Sequence, residues 1–251
     1  MWPAADCDML SAMSHAAASV RNLPVTTHGR YLVRPPASHV QTSRATGAAA
    51  EPVPLLVAFH GYSQRAEHML EELEQLPSLA DWLIVSVQGL HRFYDTRHKA
   101  IVASWMTSED RELAIADNML YTSAVVDAIK QEWSVSHLVY AGFSQGVAMA
   151  YRAAALGPHA ADGLVALAGD LPPEIREEAS TRLPPLLLGR GRADEWYTEE
   201  KLTADRARLD AYGVQHQIVV FEGGHKWTPT FREAVDGFVR QIAAREIASR
   251  A

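Results

Sequence analysis

Short apolar runs alternate with segments of helical spacing along most of this chain, and this alternation is the strongest constraint on its fold. Each run is apolar throughout rather than at every second residue, which is typical of a strand buried on both faces of a sheet. Helices between such strands favour parallel pairing. The pattern therefore predicts an α/β fold with a mostly parallel central sheet and helices on both faces. The predicted strands are 31–33, 53–59, 83–88, 137–143, 163–169, 184–190 and 216–223.

The predicted helices fall between these runs. Helical spacing is clearest from 108 to 133, where Thr107 or Ser108 is placed to cap the first turn. The segment rich in His, Arg and Tyr that follows the strand at 83–88 and runs up to Trp105 is interpreted as a loop, with its basic residues at 91–99. The other predicted helices are 66–76, 145–156, 199–212 and 230–247.

The organisation indicates one domain. We expect it to span residues 25–251, after an N-terminal tail of uncertain order at 1–24, because neither an internal repeat nor an interdomain linker is evident. Small and polar residues at 37–52 predict a flexible loop within the domain. The segment 169–184 is too short to form a large lid.

Charge and cysteine content exclude several classes of function. The formal net charge is −7, so the chain lacks the basic face that nucleic-acid phosphates require. Cys7 is the only cysteine, which excludes an intrachain disulfide and a cysteine zinc site and suits a reducing compartment. Apolar runs stay well below the roughly 18 residues of a membrane span. We therefore expect a cytoplasmic protein that binds no nucleic acid and spans no membrane.

The sequence GFSQG, residues 142–146, lies at the junction of a predicted strand and a predicted helix. In a Gly-x-Ser-x-Gly turn the serine is strained, and the flanking positions must be small to clear the neighbouring strand and helix. The hydroxyl then projects above the carboxyl edge of the sheet, where α/β folds bind ligands, and faces a helix N-terminus. The pattern predicts Ser144 as a nucleophile; the alternative is that Ser144 only caps the helix.

A serine nucleophile needs a neighbouring base, and downstream histidines are the candidates. In a strand–turn–helix setting of this kind the chain order is serine, acid, histidine. His225 follows the last predicted strand in a turn with two glycines, which lets the imidazole reach back over the sheet. His159 lies at the far end of a helix and His216 begins a strand, so neither is well placed. The order and the position together predict His225 as the base.

The acid that orients this base must follow another strand. Asp194 comes four residues after the apolar run 184–190, and we favour it. Glu195 is adjacent and is expected to point away, while Asp170 follows the strand at 163–169 and remains the other rival. As catalytic acid, Asp194 would hold His225 in the correct tautomer and stabilise its protonated form.

Hydrolysis by such a serine also needs donors for the oxyanion. One is expected to be the backbone N–H of Gln145, next to the nucleophile, and the other an N–H from the loop after an earlier strand. His60 and Gly61 end the run 53–59, so we assign the second donor to the N–H of Tyr62. His60 itself is interpreted as a structural residue that bonds nearby backbone.

With these pieces assembled, the chain resembles the carboxylesterase/phospholipase group of α/β-hydrolases, which includes the acyl-protein thioesterases. The resemblance implies the α/β-hydrolase fold without a large lid and hydrolysis of carboxylic or thio esters with no metal or organic cofactor. It also implies Ser144, Asp194 and His225 as the triad and Tyr62 with Gln145 as the oxyanion hole. The motifs that carry it are HGYSQ at 60–64, SW at 104–105, GFSQG, GRADEWY at 191–197 and GGHKW at 223–227.

Three departures from the family pattern fall near the expected substrate pockets. The chain has Tyr62-Ser63-Gln64 where a second glycine often follows the His-Gly pair. Val147 stands where Gly or Ala is common, and GDLPPE at 169–174 replaces a short turn of small residues. These changes bear on the substrate and leave the chemistry as predicted.

The function predicted from the sequence is a serine hydrolase acting on a small-molecule ester or thioester through an acyl-enzyme. Tyr62, Trp105, Leu171 and Trp196 follow strand ends and are candidates for the wall of an apolar acyl pocket; the alternative is that they pack loops onto the core. A serine peptidase or amidase on the same fold, and a non-catalytic binding homologue, remain alternative functions. The oligomeric state is not set by the sequence, which leaves a homodimer open.

Overall fold

The computed structural model describes residues 18–38, 51–97 and 99–249. It has one seven-stranded sheet and one separate hairpin within these residues. The strands are β1 (Arg30–Arg34), β2 (Val53–Phe59), β3 (Leu83–Gln88), β4 (His91–Asp95), β5 (Ala100–Ser104), β6 (Val135–Phe143), β7 (Gly163–Leu167), β8 (Leu186–Gly191) and β9 (His216–Phe221). The order in the sheet is β1-β3-β2-β6-β7-β8-β9, and β4 pairs only with β5.

The sheet is parallel except at one edge. β1 runs antiparallel to β3, whereas every other neighbouring pair of the large sheet is parallel. The carboxyl ends of the six parallel strands therefore lie at one edge, where open α/β sheets bind ligands. The arrangement confirms the predicted α/β class with a mostly parallel sheet.

Helices cover both faces of this sheet. They are α1 (Ala66–Leu73), α2 (Arg111–Glu132), α3 (Gln145–Leu156), α4 (Glu177–Ser180), α5 (Glu199–Ala211) and α6 (Pro229–Ser249), with a 3₁₀ helix at Pro77–Leu79. On β2, alternate side chains such as Leu55 and Val57 pack in one apolar cluster with α2, α3 and α5. Leu56 and Ala58 point to the other face and pack with α1 and α6. Burial on both faces explains why the strands are apolar throughout.

Several element boundaries differ from the sequence prediction for local reasons. α2 begins at Arg111 rather than 108 because Asp110 at its start has a left-handed backbone, with φ at 47°. α1 ends at Leu73 and a 3₁₀ helix begins at Pro77, since the residue before a proline is driven out of the helical region. The strand predicted at 163–169 ends at Leu167 because Ala168 has a φ of 57°.

The loop predicted between residue 88 and Trp105 is wrong, because both strands of the antiparallel hairpin β4–β5 lie in it. The prediction failed since β4 is not an apolar run: His91, Arg92 and Tyr94 are exposed. A strand outside the main core carries no continuous apolar signal.

Some sequence predictions fall on residues outside the described ranges. Residues 1–17 of the predicted tail and residues 39–50 of the predicted loop are among them, as is Cys7. Residues 18–24 of the tail are exposed and form no helix or strand. Among the described helices, none combines the length and apolar character needed to cross a lipid bilayer.

Candidate active site

Ser144 occupies the sharp turn between β6 and α3. Its backbone angles are φ 53° and ψ −121°, a conformation that L-residues rarely adopt. The Ser144 N–H donates to the Leu167 carbonyl at 2.8 Å, which ties the turn to the end of β7. Ser144 occupies the N-cap position of α3, but its side chain makes no capping bond to the helix, so the geometry gives the alternative of a simple helix cap no support.

The two glycines around Ser144 are required by close backbone contacts. A Cβ atom added at Gly142 would lie 2.5 Å from the Gly146 carbonyl oxygen. A Cβ atom at Gly146 would lie 2.2 Å from the Phe59 carbonyl oxygen at the end of β2. Both distances are too short for real Cβ contacts, so the backbone can hold Ser144 in this position only with glycine at both places.

Ser144, His225 and Asp194 form one hydrogen-bonded chain above the carboxyl edge of the sheet. His225 Nε2 lies 2.7 Å from Ser144 Oγ. On the other side of the ring, Nδ1 lies 2.9 Å from Asp194 Oδ2 and 3.0 Å from Oδ1. A carboxylate accepts only, so Nδ1 carries a proton; in the neutral ring Nε2 is then free to accept the Ser144 proton.

Asp194 is held by its own turn after β8. The carboxylate is buried, and its Oδ1 accepts the backbone N–H groups of Trp196 and Tyr197, each at 2.9 Å. The rival Asp170 lies half-exposed and pairs instead with Lys201 at 3.2 Å. Glu195 is exposed. Of the three acids considered from the sequence, only Asp194 reaches His225.

His225 is carried by the turn after β9. Gly223 in this turn has a φ of 140°, which is accessible to glycine at little cost. The turn also passes close to the end of β8, because a Cβ atom at Gly191 would lie 2.4 Å from the Gly224 carbonyl oxygen. The two turns that carry the acid and the base are therefore packed backbone to backbone. The imidazole also lies against the Phe143 ring, with 5.1 Å between centroids.

Two backbone N–H groups of residues near the proposed nucleophile lack an acceptor among the described residues: Gln145 follows Ser144 in the chain, and Tyr62 lines a cleft with it. Within the described residues, neither the N–H of Gln145 nor that of Tyr62 donates to a protein group. Gln145 opens α3, where helical N–H groups lack partners. Its side chain fixes the surrounding loop, since Oε1 accepts the Trp105 N–H at 2.9 Å and Nε2 donates to the Met106 carbonyl at 2.9 Å. The sequence did not predict this role for the side chain.

His60 lies beneath the same loop, and both of its ring nitrogens bond to backbone groups. Nε2 accepts the Gly89 N–H at 3.0 Å, so the proton is on Nδ1, which donates to the Gly61 carbonyl at 2.7 Å. Burial lowers the pKa of His60 to about 4. The neutral ring positions Gly61, whose N–H in turn bonds the Gln64 side chain at 2.8 Å. This geometry supports the structural role predicted for His60.

Two clefts meet at Ser144 and His225. The first, here called the aromatic cleft, has a volume of about 620 Å³. It is lined by Tyr62, Met69, Phe143, Trp196 and Trp227, together with Gln64, His68, Glu71, Glu72 and Lys226. The second, here called the charged cleft, has a volume of about 380 Å³. Its lining includes Met106, Arg111, Arg152, Asp170, Leu171 and Lys201.

All but one of the predicted pocket residues line a cleft. Trp196 is 73% exposed and lines both clefts, and Leu171 lines the charged cleft. Trp105 lines neither, which corrects its assignment to the pocket: it is fully buried, and its indole N–H donates to the His60 carbonyl at 2.8 Å. Trp227 and Met69 were missed, although the position of Trp227 two residues after His225 was a usable signal.

Comparison with known proteins places the chain in a family. Residues 44–243 match the phospholipase/carboxylesterase family, while no curated protein sequence matches the chain. Among solved structures, acyl-protein thioesterase 2 of Zea mays shares 21% identity at a TM-score of 0.64, covering 86% of this chain and 99% of that one. Esterase PE8 shares 20% sequence identity at a TM-score of 0.64, and the match covers 86% of this chain and 100% of that one. The Bacillus cereus carboxylesterase shares 14% sequence identity at a TM-score of 0.64, and the match covers 85% of this chain and 94% of that one.

At these identities the structural matches establish the α/β-hydrolase fold, and the family match extends over most of the chain. The resemblance expected from the motifs GFSQG and GGHKW is thereby confirmed. The chain belongs to the phospholipase/carboxylesterase family and is a hydrolase of the carboxylesterase or thioesterase type.

Proposed function

We propose that this protein is a serine hydrolase that cleaves carboxylic ester or thioester bonds through an acyl-enzyme intermediate. The observation that carries the proposal is the continuous hydrogen-bonded chain from Asp194 through His225 to Ser144, at the meeting point of two clefts. A nucleophile, a base and an orienting acid in this order make up the machinery for acyl transfer by serine.

In the first half-reaction, Ser144 Oγ attacks the carbonyl carbon while His225 Nε2 takes its proton. The tetrahedral intermediate carries its negative charge on the former carbonyl oxygen. The N–H groups of Tyr62 and Gln145, which have no acceptor within the described residues, would bind this oxygen. The positive end of α3, which begins at Gln145, favours charge at the same point.

Collapse of this intermediate releases the alcohol or thiol, which receives a proton from His225 Nε2. A water molecule then attacks the acyl-enzyme with His225 again as base, and Ser144 is released with the acid product. Asp194 keeps its negative charge and stabilises the imidazolium that forms in both steps. Because Asp194 is also fixed by two backbone N–H groups, it holds the imidazole plane without rearrangement.

The aromatic cleft is the proposed site of the acyl group. Phe143, Met69 and Trp227 give it an apolar wall, and it is the larger of the two clefts. A small-molecule ester or thioester fits this volume, and the solved structures named as an esterase and an acyl-protein thioesterase share the fold. The substrate assigned to the protein is therefore an ester with an apolar acyl chain.

The proposal is tested by hydrolysis of p-nitrophenyl butyrate under pre-steady-state conditions. The wild-type enzyme should release a burst of about one p-nitrophenol per active site if deacylation is slower than acylation, and a fluorophosphonate should label Ser144. Ser144→Ala should lose both signals. Ser136→Ala is the matched control, because Ser136 lies near the start of β6, at the opposite edge of the sheet from the turn that carries Ser144.

Turnover by Ser144→Ala near the wild-type rate would overturn the assignment of the nucleophile. A butyryl p-nitroanilide, measured alongside, separates ester hydrolysis from the amidase alternative. Absence of both hydrolysis and labelling in the wild-type protein would favour the non-catalytic homologue.

A further inference from the structure

The charged cleft differs in character from the aromatic cleft, although both end at Ser144 and His225. Arg111, Arg152 and Lys201 line it, each from a different helix. The chain as a whole carries a net charge of −7, so three cations beside the proposed nucleophile run against its overall composition. Such a local concentration of positive charge attracts anions to the cleft.

Arg152 differs from the other two cations because it is buried, with only 1% of its surface exposed. One of its terminal nitrogens donates to Glu174 at 3.1 Å. The other contacts the Met106 sulfur at 3.9 Å, a weak acceptor, and Nε has no acceptor within the described part of the chain. Burial of a guanidinium costs free energy unless its donors are paired. The fold therefore holds a buried cation with incomplete compensation.

Glu174 is shared between two guanidinium groups. It pairs with Arg152 and also with Arg111, which has a second, weaker contact to Glu112 at 3.4 Å. Glu112 is 85% exposed and is screened by solvent. Burial lowers the pKa of Arg152, while the neighbouring Glu174 acts in the opposite direction.

The remaining pair in the cleft is Lys201 with Asp170, at 3.2 Å. Together the cleft and its border hold three cations against the two carboxylates Asp170 and Glu174, an excess of one positive charge before the exposed Glu112 is counted. The aromatic cleft has no such excess, since its carboxylates Glu71 and Glu72 are matched by Lys226 and by Arg232, which pairs with Glu72. An anionic group is therefore favoured on one side of Ser144 only.

We propose that the charged cleft binds a carboxylate on the leaving group of the substrate, through Arg111 and Arg152. This inference rests on the proposed ester hydrolysis and names the substrate class: an apolar acyl group in the aromatic cleft, joined to an alcohol or thiol that carries a negative charge. A guanidinium matches the planar carboxylate with two parallel N–H donors. On binding, the substrate carboxylate supplies the partner that Glu174 alone does not provide.

The test compares two butyrate esters that differ in one group. The leaving groups are 3-hydroxybenzoate, which carries a carboxylate, and 3-hydroxybenzamide, its neutral isostere. The quantity measured is the ratio of kcat/KM for the anionic ester to that for the neutral ester within each variant, since changes in folding or in the serine chemistry affect both alike. The wild-type ratio should exceed the ratio of rate constants for hydrolysis of the same two esters by hydroxide ion without enzyme. It should fall with added salt, because salt screens the attraction between the cleft and the substrate carboxylate.

Two substitutions should move this ratio in opposite directions. Arg111→Gln removes a cation and should lower the ratio about tenfold, because a tenfold change corresponds to the free energy of about one charge-assisted hydrogen bond. Glu174→Gln removes the competing carboxylate and should raise it. The controls are Arg206→Gln and Asp210→Asn, which break a surface pair on α5 with the same charge changes and line neither cleft.

The outcomes separate the two proposals. Hydrolysis of both esters with a ratio that neither Arg111→Gln nor Glu174→Gln changes would overturn the anion site and leave the esterase standing. A purely structural role of this cluster gives that same result, because loss of stability does not discriminate between the isosteres. Failure of wild-type enzyme to hydrolyse either ester would overturn the proposed function and this inference with it.

Discussion

Replacement of Asp194 by asparagine should abolish most of the activity while leaving the site geometry intact. The reason lies in the two backbone N–H groups, of Trp196 and Tyr197, that donate to Asp194 Oδ1 at 2.9 Å. Asparagine has one carbonyl oxygen and one NH₂ group. To turn its NH₂ toward the backbone would leave both N–H groups facing a donor, at a cost of about 1–3 kcal/mol for the buried one, that of Tyr197, alone.

The side-chain oxygen of the introduced asparagine should therefore stay with the backbone, and its NH₂ group should face His225 Nδ1. That nitrogen must then accept, so the ring proton moves to Nε2, which donates to Ser144 and no longer takes its proton. In a serine triad, this wrong tautomer lowers kcat about 10⁴-fold, or about 5.5 kcal/mol of transition-state stabilisation.

The assay is kcat for p-nitrophenyl butyrate in Asp194→Asn and in Glu195→Gln, its exposed neighbour. Asp194→Asn should lose about four orders of magnitude at pH 7, whereas Glu195→Gln should stay within a factor of about two of wild type. Thermal unfolding checks that both variants are folded. A folded Asp194→Asn enzyme with activity close to that of wild type would refute the tautomer argument and the choice of Asp194 as the acid.

Three further predictions follow from the geometry. Gly146→Ala should lose at least about 1–3 kcal/mol of unfolding free energy, because its Cβ would lie 2.2 Å from the Phe59 carbonyl oxygen. Calorimetry should show this as a lower Tm, and an unchanged Tm contradicts the prediction. His60 has a folded pKa of about 4 against 6.5 unfolded, so the unfolded chain binds more protons between those values and stability should fall as pH drops from 6.5 to 4. Urea unfolding at a series of pH values should show a loss of up to about 3 kcal/mol of unfolding free energy in wild type, and a weaker dependence of that free energy on pH in His60→Gln. The same pH dependence in both proteins would exclude His60 as the cause. Trp227→Ala enlarges the aromatic cleft and should shift the preferred p-nitrophenyl ester to a longer acyl chain, and an unchanged chain-length profile would remove the acyl group from this cleft.

The fold could be predicted from the sequence because the central strands of its sheet are almost continuously apolar. Runs such as 53–59 and 83–88 became β2 and β3 with the bounds expected, since burial on both sheet faces leaves an unambiguous pattern. The hairpin β4–β5 was missed for the converse reason. Its first strand carries exposed His91, Arg92 and Tyr94, so its pairing partner, and not its composition, makes it a strand.

The candidate site could be predicted only where local sterics or chain order limit the choices. Gly142 and Gly146 mark Ser144 because no other residue fits between the strand and the helix. Chain order does not separate two of the acids, because Asp170 and Asp194 both follow strands. Their difference lies in the turn after β8, where backbone N–H groups hold Asp194. Trp105 was misplaced because its neighbour Ser104 ends a strand of the unexpected hairpin, which directs the indole inward to His60.

The charged cleft shows what sequence inspection cannot supply at all. Arg111 begins α2, Arg152 lies in α3, and Glu174 belongs to the segment that follows β7, so no spacing relates them. Each one alone is an ordinary charged residue. The fold brings them together in one cluster. α3 starts next to Ser144 and carries Arg152 about two turns further along, where it pairs with Glu174. The helix that begins next to the proposed nucleophile thus also carries a cation proposed to select the substrate. The ester pair with and without a carboxylate measures this selection separately from the chemistry at Ser144.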